Sequence, residues 1–164
     1  MKRIAILGVA AIAVLAAPPP RPWLIWNATA SAPTGLYRLA SRDPLKRGDL
    51  VVVQPPPALA RWLDLRGYAP LGVPLIKHIA ALPPSTVCRT GATVAVDGQP
   101  IGLALPRGRR GELLPRWSGC ARLGEGEVFL LNSAPGSLDS RYFGPVPRSA
   151  ILGLAAPLWV ERRY

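Results

Sequence analysis

After residue 26 the chain alternates between short apolar runs and turns rich in proline and glycine. Apolar runs of about four to ten residues with many β-branched side chains predict strands, and they fall at 50–53, 73–82, 86–89, 127–131, 151–154 and 157–160. Asp97-Gly98 joins two further short runs and is typical of a β-hairpin. Residues 58–66 carry apolar side chains at helical spacing, so we predict a short surface helix ended by Gly67. The pattern favours a mainly β domain.

The pattern before residue 27 is different. Two basic residues at the N-terminus precede an apolar run over residues 4–17, which ends at three prolines. The run is shorter than the ~17–25 residues that a spanning helix uses, and it matches the core of a signal peptide about as well. Trp23-Leu-Ile-Trp26 follows, an aromatic and aliphatic patch typical of the head-group level of a bilayer. We therefore predict that residues 1–26 form a short membrane helix, as an anchor or a signal segment with an interfacial patch, and that the rest lies outside.

Length and composition fit one folded domain over residues 27–164. The chain has 164 residues, of which 49% are hydrophobic, so it can bury a core, and disorder is excluded for most of it. The net charge of +11 comes mainly from scattered arginines, and the densest group, at 107–110, is interpreted as a solvated loop. Charge alone gives non-specific affinity for nucleic acid, and anionic lipid explains the excess equally well. We expect membrane lipid, and no specific nucleic acid, as a partner.

The chain has two cysteines, Cys88 and Cys120, and one histidine. In an exported domain a cysteine pair predicts a disulfide, with two unpaired core thiols as the alternative. Two cysteines and one histidine cannot supply a four-ligand structural zinc site. We therefore expect no metal and no cofactor.

A single lysine, Lys77, interrupts the apolar run at 73–82. Lysine is almost never fully buried unless another group pairs with it or uses it. Burial disfavours the ammonium form and lowers the pKa, which leaves an amine able to act as a general base near neutral pH. Leu75, Ile76 and Ile79 could supply the apolar surround. In the alternative interpretation the aliphatic stem packs and the ammonium group reaches water.

A lysine base needs a nucleophile, and Ser31 is a candidate. Pro33 restricts the residue before it, and Gly35 permits positive φ, so this stretch can hold a fixed and irregular backbone. Such a backbone suits the presentation of a nucleophile. Taken alone, the stretch fits an ordinary turn serine as well.

Four sequence blocks together carry more information than any one of them. They are Asn-x-Thr-x-Ser-x-Pro-x-Gly-Leu-Tyr at 27–37, Gly-Asp-Leu-Val at 48–51, Pro-Leu-Ile-Lys-His-Ile-Ala at 74–80 and Leu-Asp-Ser-Arg-Tyr-Phe-Gly at 138–144. In type and order they resemble the signal peptidase I superfamily, and most closely its conjugative-transfer branch, the TraF-type pilin-maturation peptidases. The resemblance implies a β-rich catalytic domain tethered to the inner membrane, with its active site on the periplasmic side.

The resemblance also implies roles for individual residues. Ser31 becomes the nucleophile and Lys77 the general base of a serine-lysine dyad. Thr29 takes the position of a hydroxyl that helps to bind the oxyanion together with the Ser31 backbone N–H. Ser137 matches a hydroxyl expected to hydrogen-bond the lysine amine. Asp139 and Arg141 match an Asp-Ser-Arg element of the family, and we expect them to form a pair that braces the loop beside the base or serves only as a structural salt bridge.

The function implied is a membrane-associated serine endopeptidase that processes an exported precursor, such as a pilin of a conjugative or type IV secretion apparatus. Joining the new ends of the product into a circle is a second outcome, because an acyl-enzyme can be resolved by an amine instead of water. His78 after the lysine and the alanines flanking Ser31 depart from general type I signal peptidases, which remain an alternative. A self-cleaving repressor and a non-catalytic assembly protein of the same apparatus are the others.

Overall fold

The structure is a computed structural model that describes residues 24–161, and the predicted N-terminal membrane helix lies outside them. The described part contains eleven strands and two short α-helices. They are β1 Leu24–Asn27, β2 Gly35–Ala40, β3 Leu50–Val53, α1 Pro57–Leu65, β4 Leu75–Ala81, β5 Thr86–Thr90, β6 Thr93–Val96, β7 Gln99–Leu103, β8 Gly119–Arg122, β9 Glu127–Leu131, α2 Ser140–Phe143, β10 Val146–Pro147 and β11 Ile151–Val160. The predicted mainly β class is confirmed. From residue 24 to residue 161, neither helix has the length and apolar character needed to cross a membrane.

The larger sheet has seven strands in the order β1-β2-β11-β3-β4-β9-β10, and neighbouring strands are antiparallel. Strand β4, which carries Lys77, lies between β3 and β9. Such an interior strand is covered on both faces, which explains its nearly continuous apolar sequence. The two faces are covered by separate apolar clusters, one around Val51 and Ile79 and the other around Val52 and Ile76.

Strand β1 was not predicted, because Leu24–Trp26 were grouped with the N-terminal anchor. These residues pair with β2 at the edge of the large sheet. Ile25 is buried, whereas Leu24 and Trp26 are 54% and 60% exposed. Trp26 stacks on Trp159 of β11, with ring centroids 5.9 Å apart. The folded domain therefore begins by Leu24, and the outward face of its first strand keeps the aromatic character noted in the sequence.

The smaller sheet has the order β7-β6-β5-β8 and contains the predicted hairpin at Asp97-Gly98. Its buried side chains pack with Phe129 of β9 and Tyr142 of α2, so the two sheets share a core. Cys88 on β5 lies opposite Cys120 on β8, and the two are joined by a disulfide. The bond fastens an otherwise exposed edge strand to the sheet.

Reduction of this disulfide should lower thermal stability. The bond joins residues 32 positions apart, and opening a loop of that length costs about 4 kcal/mol in the chain-entropy model. For a domain of this size we expect the melting midpoint to fall by on the order of 10 °C in reducing buffer. The control is a Cys88→Ala/Cys120→Ala double variant, whose midpoint should not respond to reductant. An equal response of wild type and double variant would contradict the prediction.

Candidate active site

Lys77 is buried in the middle of β4, with only 4% of its surface exposed. Its Nζ donates a hydrogen bond of 2.8 Å to Ser137 Oγ and lies 3.5 Å from Ser31 Oγ. The amine therefore ends inside the protein, and the alternative in which it reaches bulk water does not hold. The structure brings together three residues that are far apart in the sequence.

The surroundings of Lys77 explain why it binds a proton less tightly than an exposed lysine does. Lys77 pairs in register with Val51 of β3, so side chains of the Val51 face, including that of Leu75, border the lysine stem. Ile79 belongs to the apolar cluster of that face, whereas Ile76, expected to contribute, packs in the cluster on the opposite face. Burial lowers the pKa of Lys77 from 10.5 to about 8. The nearby carboxylate of Asp139 acts in the opposite direction, and the Arg141 guanidinium adds to the lowering.

Ser31 lies in the loop between β1 and β2, and Asn27 organises this loop. Asn27 Oδ1 accepts hydrogen bonds from the Thr29 backbone N–H at 3.1 Å and from Thr29 Oγ1 at 2.8 Å. Its Nδ2 lies within 3.1 Å of three carbonyl oxygens, those of Thr29, Ala32 and Pro33. Thr29 Oγ1 is in turn 3.1 Å from Ser31 Oγ. One buried amide thus fixes the short segment that carries both hydroxyls.

Gly35 closes the same loop at the start of β2. Its φ is +142°, and a Cβ at this position would collide with the carbonyl of Trp159 on β11. A residue with a side chain would push the two strands apart, so the loop that carries Ser31 ends at an obligate glycine.

Ser137 is held by a loop that Asp139 and Arg141 organise. The two form a buried two-pronged ion pair, with Arg141 Nε 2.9 Å from Asp139 Oδ1 and Nη2 2.9 Å from Oδ2. Asp139 also accepts the backbone N–H groups of Asn132 and Arg141, and Arg141 donates to the carbonyls of Asn132, Ala134 and Ser137. Neither residue has a hydrogen bond to Lys77 among the described residues. The pair therefore holds the loop that presents Ser137.

The family model described as "Signal peptidase, peptidase S26" matches residues 2–159. The chain belongs to this family. The family predicted from the four sequence blocks is thereby confirmed, and membership in peptidase S26 makes the chain a serine peptidase. Its buried lysine and neighbouring serine hydroxyls are thus those of a signal-peptidase-like protein.

Relatives include proteins named for conjugation. The chain is 38% identical over 143 residues to the conjugal transfer protein TraF of Agrobacterium fabrum, covering 81% of this chain and 80% of the relative. It is 34% identical over 174 aligned residues to the plasmid transfer protein TraF of Escherichia coli, covering 96% of each. A crystal structure of a signal peptidase I from Enterococcus faecalis V583 superposes with a TM-score of 0.41 at 21% identity, covering 70% of this chain and 98% of that one.

Asn132 of this S26 peptidase bonds the backbone around Lys77. Its Oδ1 accepts the backbone N–H of His78 at 3.0 Å, and its Nδ2 donates to the carbonyl of Ile76 at 3.0 Å. The side chain thus bonds the backbone on both sides of Lys77 and fixes the strand at the lysine. The sequence gives Asn132 at most a supporting role, because a lone asparagine after a strand normally indicates a turn. For Asn27 the sequence carries one weak signal, which is its regular spacing to Thr29 and Ser31.

A cavity of about 180 Å³ opens beside the two serines and the lysine. Its apolar wall includes Leu63 of α1, Ala69 and Leu75, and its other wall includes Gly136 and Arg109. The cavity is open to solvent, so a substrate chain has access to Ser31. The predicted helix at 58–66 forms as α1 and supplies part of this wall.

Proposed function

We propose that the chain is a membrane-tethered serine endopeptidase in which Ser31 is the nucleophile and Lys77 the general base. One observation carries the proposal: the buried Lys77 Nζ lies 3.5 Å from Ser31 Oγ while Ser137 holds it by a bond of 2.8 Å. A small shift brings the amine within hydrogen-bond reach of the serine, and such contacts often tighten when substrate binds. The lowered pKa supports the role, because a useful fraction of the amine is neutral near pH 8.

The reaction follows from these positions. Neutral Lys77 takes the proton of the Ser31 hydroxyl while Ser31 Oγ attacks a backbone carbonyl of the substrate. The resulting ammonium group donates this proton to the leaving amine as the peptide bond breaks, which leaves an ester on Ser31. Lys77 then deprotonates a water or an incoming amine, which attacks the ester. The ester bond to Ser31 Oγ breaks, and the Lys77 ammonium group returns a proton to this oxygen. Ser137 accepts a hydrogen bond from the amine and so keeps it aimed during both steps.

The oxyanion is assigned to the Ser31 backbone N–H and the Thr29 hydroxyl. In the structure the Thr29 hydroxyl is bonded to Asn27 Oδ1 and also lies beside Ser31 Oγ. A hydroxyl has one proton, so it must rotate away from Asn27 to donate to an oxyanion. The Thr29 backbone N–H keeps its own bond to Asn27 during this rotation, so the loop need not move.

The substrate that we propose is a pilin-like precursor of a conjugative or type IV secretion apparatus, cleaved with or without cyclisation. The conjugation-related names of the relatives support this choice.

The exposed face formed by Leu24, Trp26, Leu158 and Trp159 supports a location at a lipid surface, because tryptophan and leucine favour the boundary between head groups and acyl chains. This face lies beside the end at which the N-terminal segment joins β1, which suits an inner-membrane protein with its catalytic domain in the periplasm.

Activity should depend on pH through Lys77. The base must be neutral to accept a proton, and burial lowers its pKa to about 8. We expect kcat/KM to rise tenfold per pH unit on the acidic side and to level off above about pH 8. The measurement is the initial rate of precursor cleavage from pH 5 to pH 10 at constant ionic strength. A profile that is flat over the acidic half would contradict a neutral lysine as the base.

Mass spectrometry of a pilin-like precursor encoded beside this chain tests the proposed function. The precursor is co-expressed with the full-length protein, with a Ser31→Ala variant, or with Ser41→Ala as a control at an exposed serine. We expect a mass loss with wild type and Ser41→Ala and an intact precursor with Ser31→Ala. A further loss of one water relative to the linear fragment indicates ring closure. Cleavage of a general exported reporter, but not of the pilin-like precursor, would favour the general signal peptidase alternative.

A further inference from the structure

Arg109 stands at the rim of the cavity that contains Ser31 and Lys77. It belongs to the long loop between β7 and β8. A second cavity, of about 110 Å³, shares Arg109 and Gly136 with the first and continues away from Ser31. The arginine therefore lies at the junction of the two cavities.

Arg109 is unpaired, in contrast to its neighbours on the loop. Among residues 24–161 it forms no ion pair and donates no side-chain hydrogen bond. Arg107 donates to the Gly111 carbonyl at 2.6 Å, and Arg110 donates to the Arg66 carbonyl at 3.1 Å. The loop has one carboxylate, Glu112, and its Oε2 accepts the backbone N–H of Arg110 at 3.0 Å. Arg109 is thus an exposed guanidinium with no side-chain partner among these residues.

The guanidinium is placed against the loop that positions the lysine. A Cβ built on Gly136 would lie 3.3 Å from Arg109 Nε and 3.4 Å from Nη2. Gly136 directly precedes Ser137, whose hydroxyl accepts the bond from Lys77. The absence of a side chain at residue 136 lets the guanidinium lie against the backbone beside the reacting groups. The Asp139 carboxylate of the same loop is already bound by Arg141 and does not serve Arg109.

We propose that Arg109 binds a carboxylate of the substrate close to the bond that is cut. This inference rests on the proposed function, and it adds a residue that determines specificity. A guanidinium presents parallel N–H donors that match the two oxygens of a carboxylate. Two sources have this chemistry: an acidic side chain near the scissile bond, or the free carboxyl terminus of a substrate that is cut near its end.

The test uses the full-length protein and a mixed peptide library read by mass spectrometry. A peptide whose cleavage requires Ser31 is selected and resynthesised in three versions: with an acidic side chain and an amidated end, with neutral side chains and a free carboxyl end, and with neither. Each version is assayed with wild type, Arg109→Gln, Arg109→Lys and Arg122→Gln. Arg122 is exposed on β8 and lines neither cavity, so Arg122→Gln removes the same charge elsewhere.

We expect Arg109→Gln to lower kcat/KM at least tenfold, mainly through KM, for the version with the preferred carboxylate, and less than twofold for the version with none. The version that responds identifies the source of the carboxylate. Arg109→Lys should keep part of the preference, since it retains the charge without the fork, and Arg122→Gln should match wild type. The inference is overturned if the ratios of kcat/KM among the three versions are the same for wild type and Arg109→Gln. Failure to find any Ser31-dependent cleavage overturns the proposed function itself.

Discussion

Lys77→Arg abolishes precursor processing, with an expected loss on the order of 10⁴-fold or more in cleavage rate. The guanidinium stays protonated at all accessible pH values, so it cannot accept the Ser31 proton. The substitution keeps a donor toward Ser137 but cannot form the neutral base, which makes it a test of proton transfer. The measurement is the single-turnover rate of cleavage of the pilin-like precursor.

Two further variants make this result interpretable. Lys46 is exposed, and Lys46→Arg should retain the wild-type rate. Arginine is larger than lysine and could disturb a buried site, so Lys77→Met provides a second inactive form with an apolar side chain of similar length. Lys77→Met should fold and remain inactive. Processing at the wild-type rate by either Lys77 variant would refute the assignment of the base.

Asp139→Ala destabilises the fold by about 3–5 kcal/mol. The substitution leaves the Arg141 guanidinium buried without its carboxylate, and burial of an uncompensated charge is the costly part. It also removes an acceptor for the Asn132 and Arg141 backbone N–H groups. The measurement is the free energy of unfolding from denaturant titration, with cleavage rate read in parallel at a temperature where the variant stays folded.

The chain supplies a matched control in an exposed ion pair. Asp43 pairs with Arg148 at 3.0 Å, and both side chains are at least 40% exposed. Asp43→Ala should cost no more than about 1 kcal/mol, because water screens the pair. A double variant, Asp139→Leu with Arg141→Met, should be more stable than Asp139→Ala alone. Equal costs for the buried and the exposed single variants would show that burial of the charge is not the dominant effect.

Most strands of the fold were predictable because their signal is local. The runs at 50–53 and 127–131 match β3 and β9 residue for residue, since β-branched apolar side chains followed by turn residues define a buried strand. Strand β1 was missed for a physical reason: an edge strand with large apolar side chains on its outer face has the same composition as a membrane-interface patch. The sequence cannot distinguish these two surroundings, whereas pairing with β2 does.

The site was predictable in its residue types but not in its geometry. Lys77 was marked by a charge in an apolar strand, and Ser31 by a restricted backbone, but these residues are 46 positions apart. Only sheet topology brings them together, and non-local pairing leaves no periodic signal; the expectation came from resemblance to a family. The contacts of Asn132 could not be predicted in this way, because they are two bonds to the backbone of another strand. Arg109 stood within a segment interpreted as a solvated loop.

The buried amine of Lys77 also links proton binding to folding. An unfolded chain holds a proton on this group up to about pH 10.5, whereas the folded chain releases it near pH 8. The unfolded form therefore binds more protons between these values, and the free energy of unfolding increases as pH rises through this interval. Below this pH interval the folded protein bears the full cost of burying a charged lysine, on the order of 3 kcal/mol. A reactive base at position 77 thus costs the folded protein stability. Lys77→Met should yield an inactive protein with a higher melting temperature than wild type.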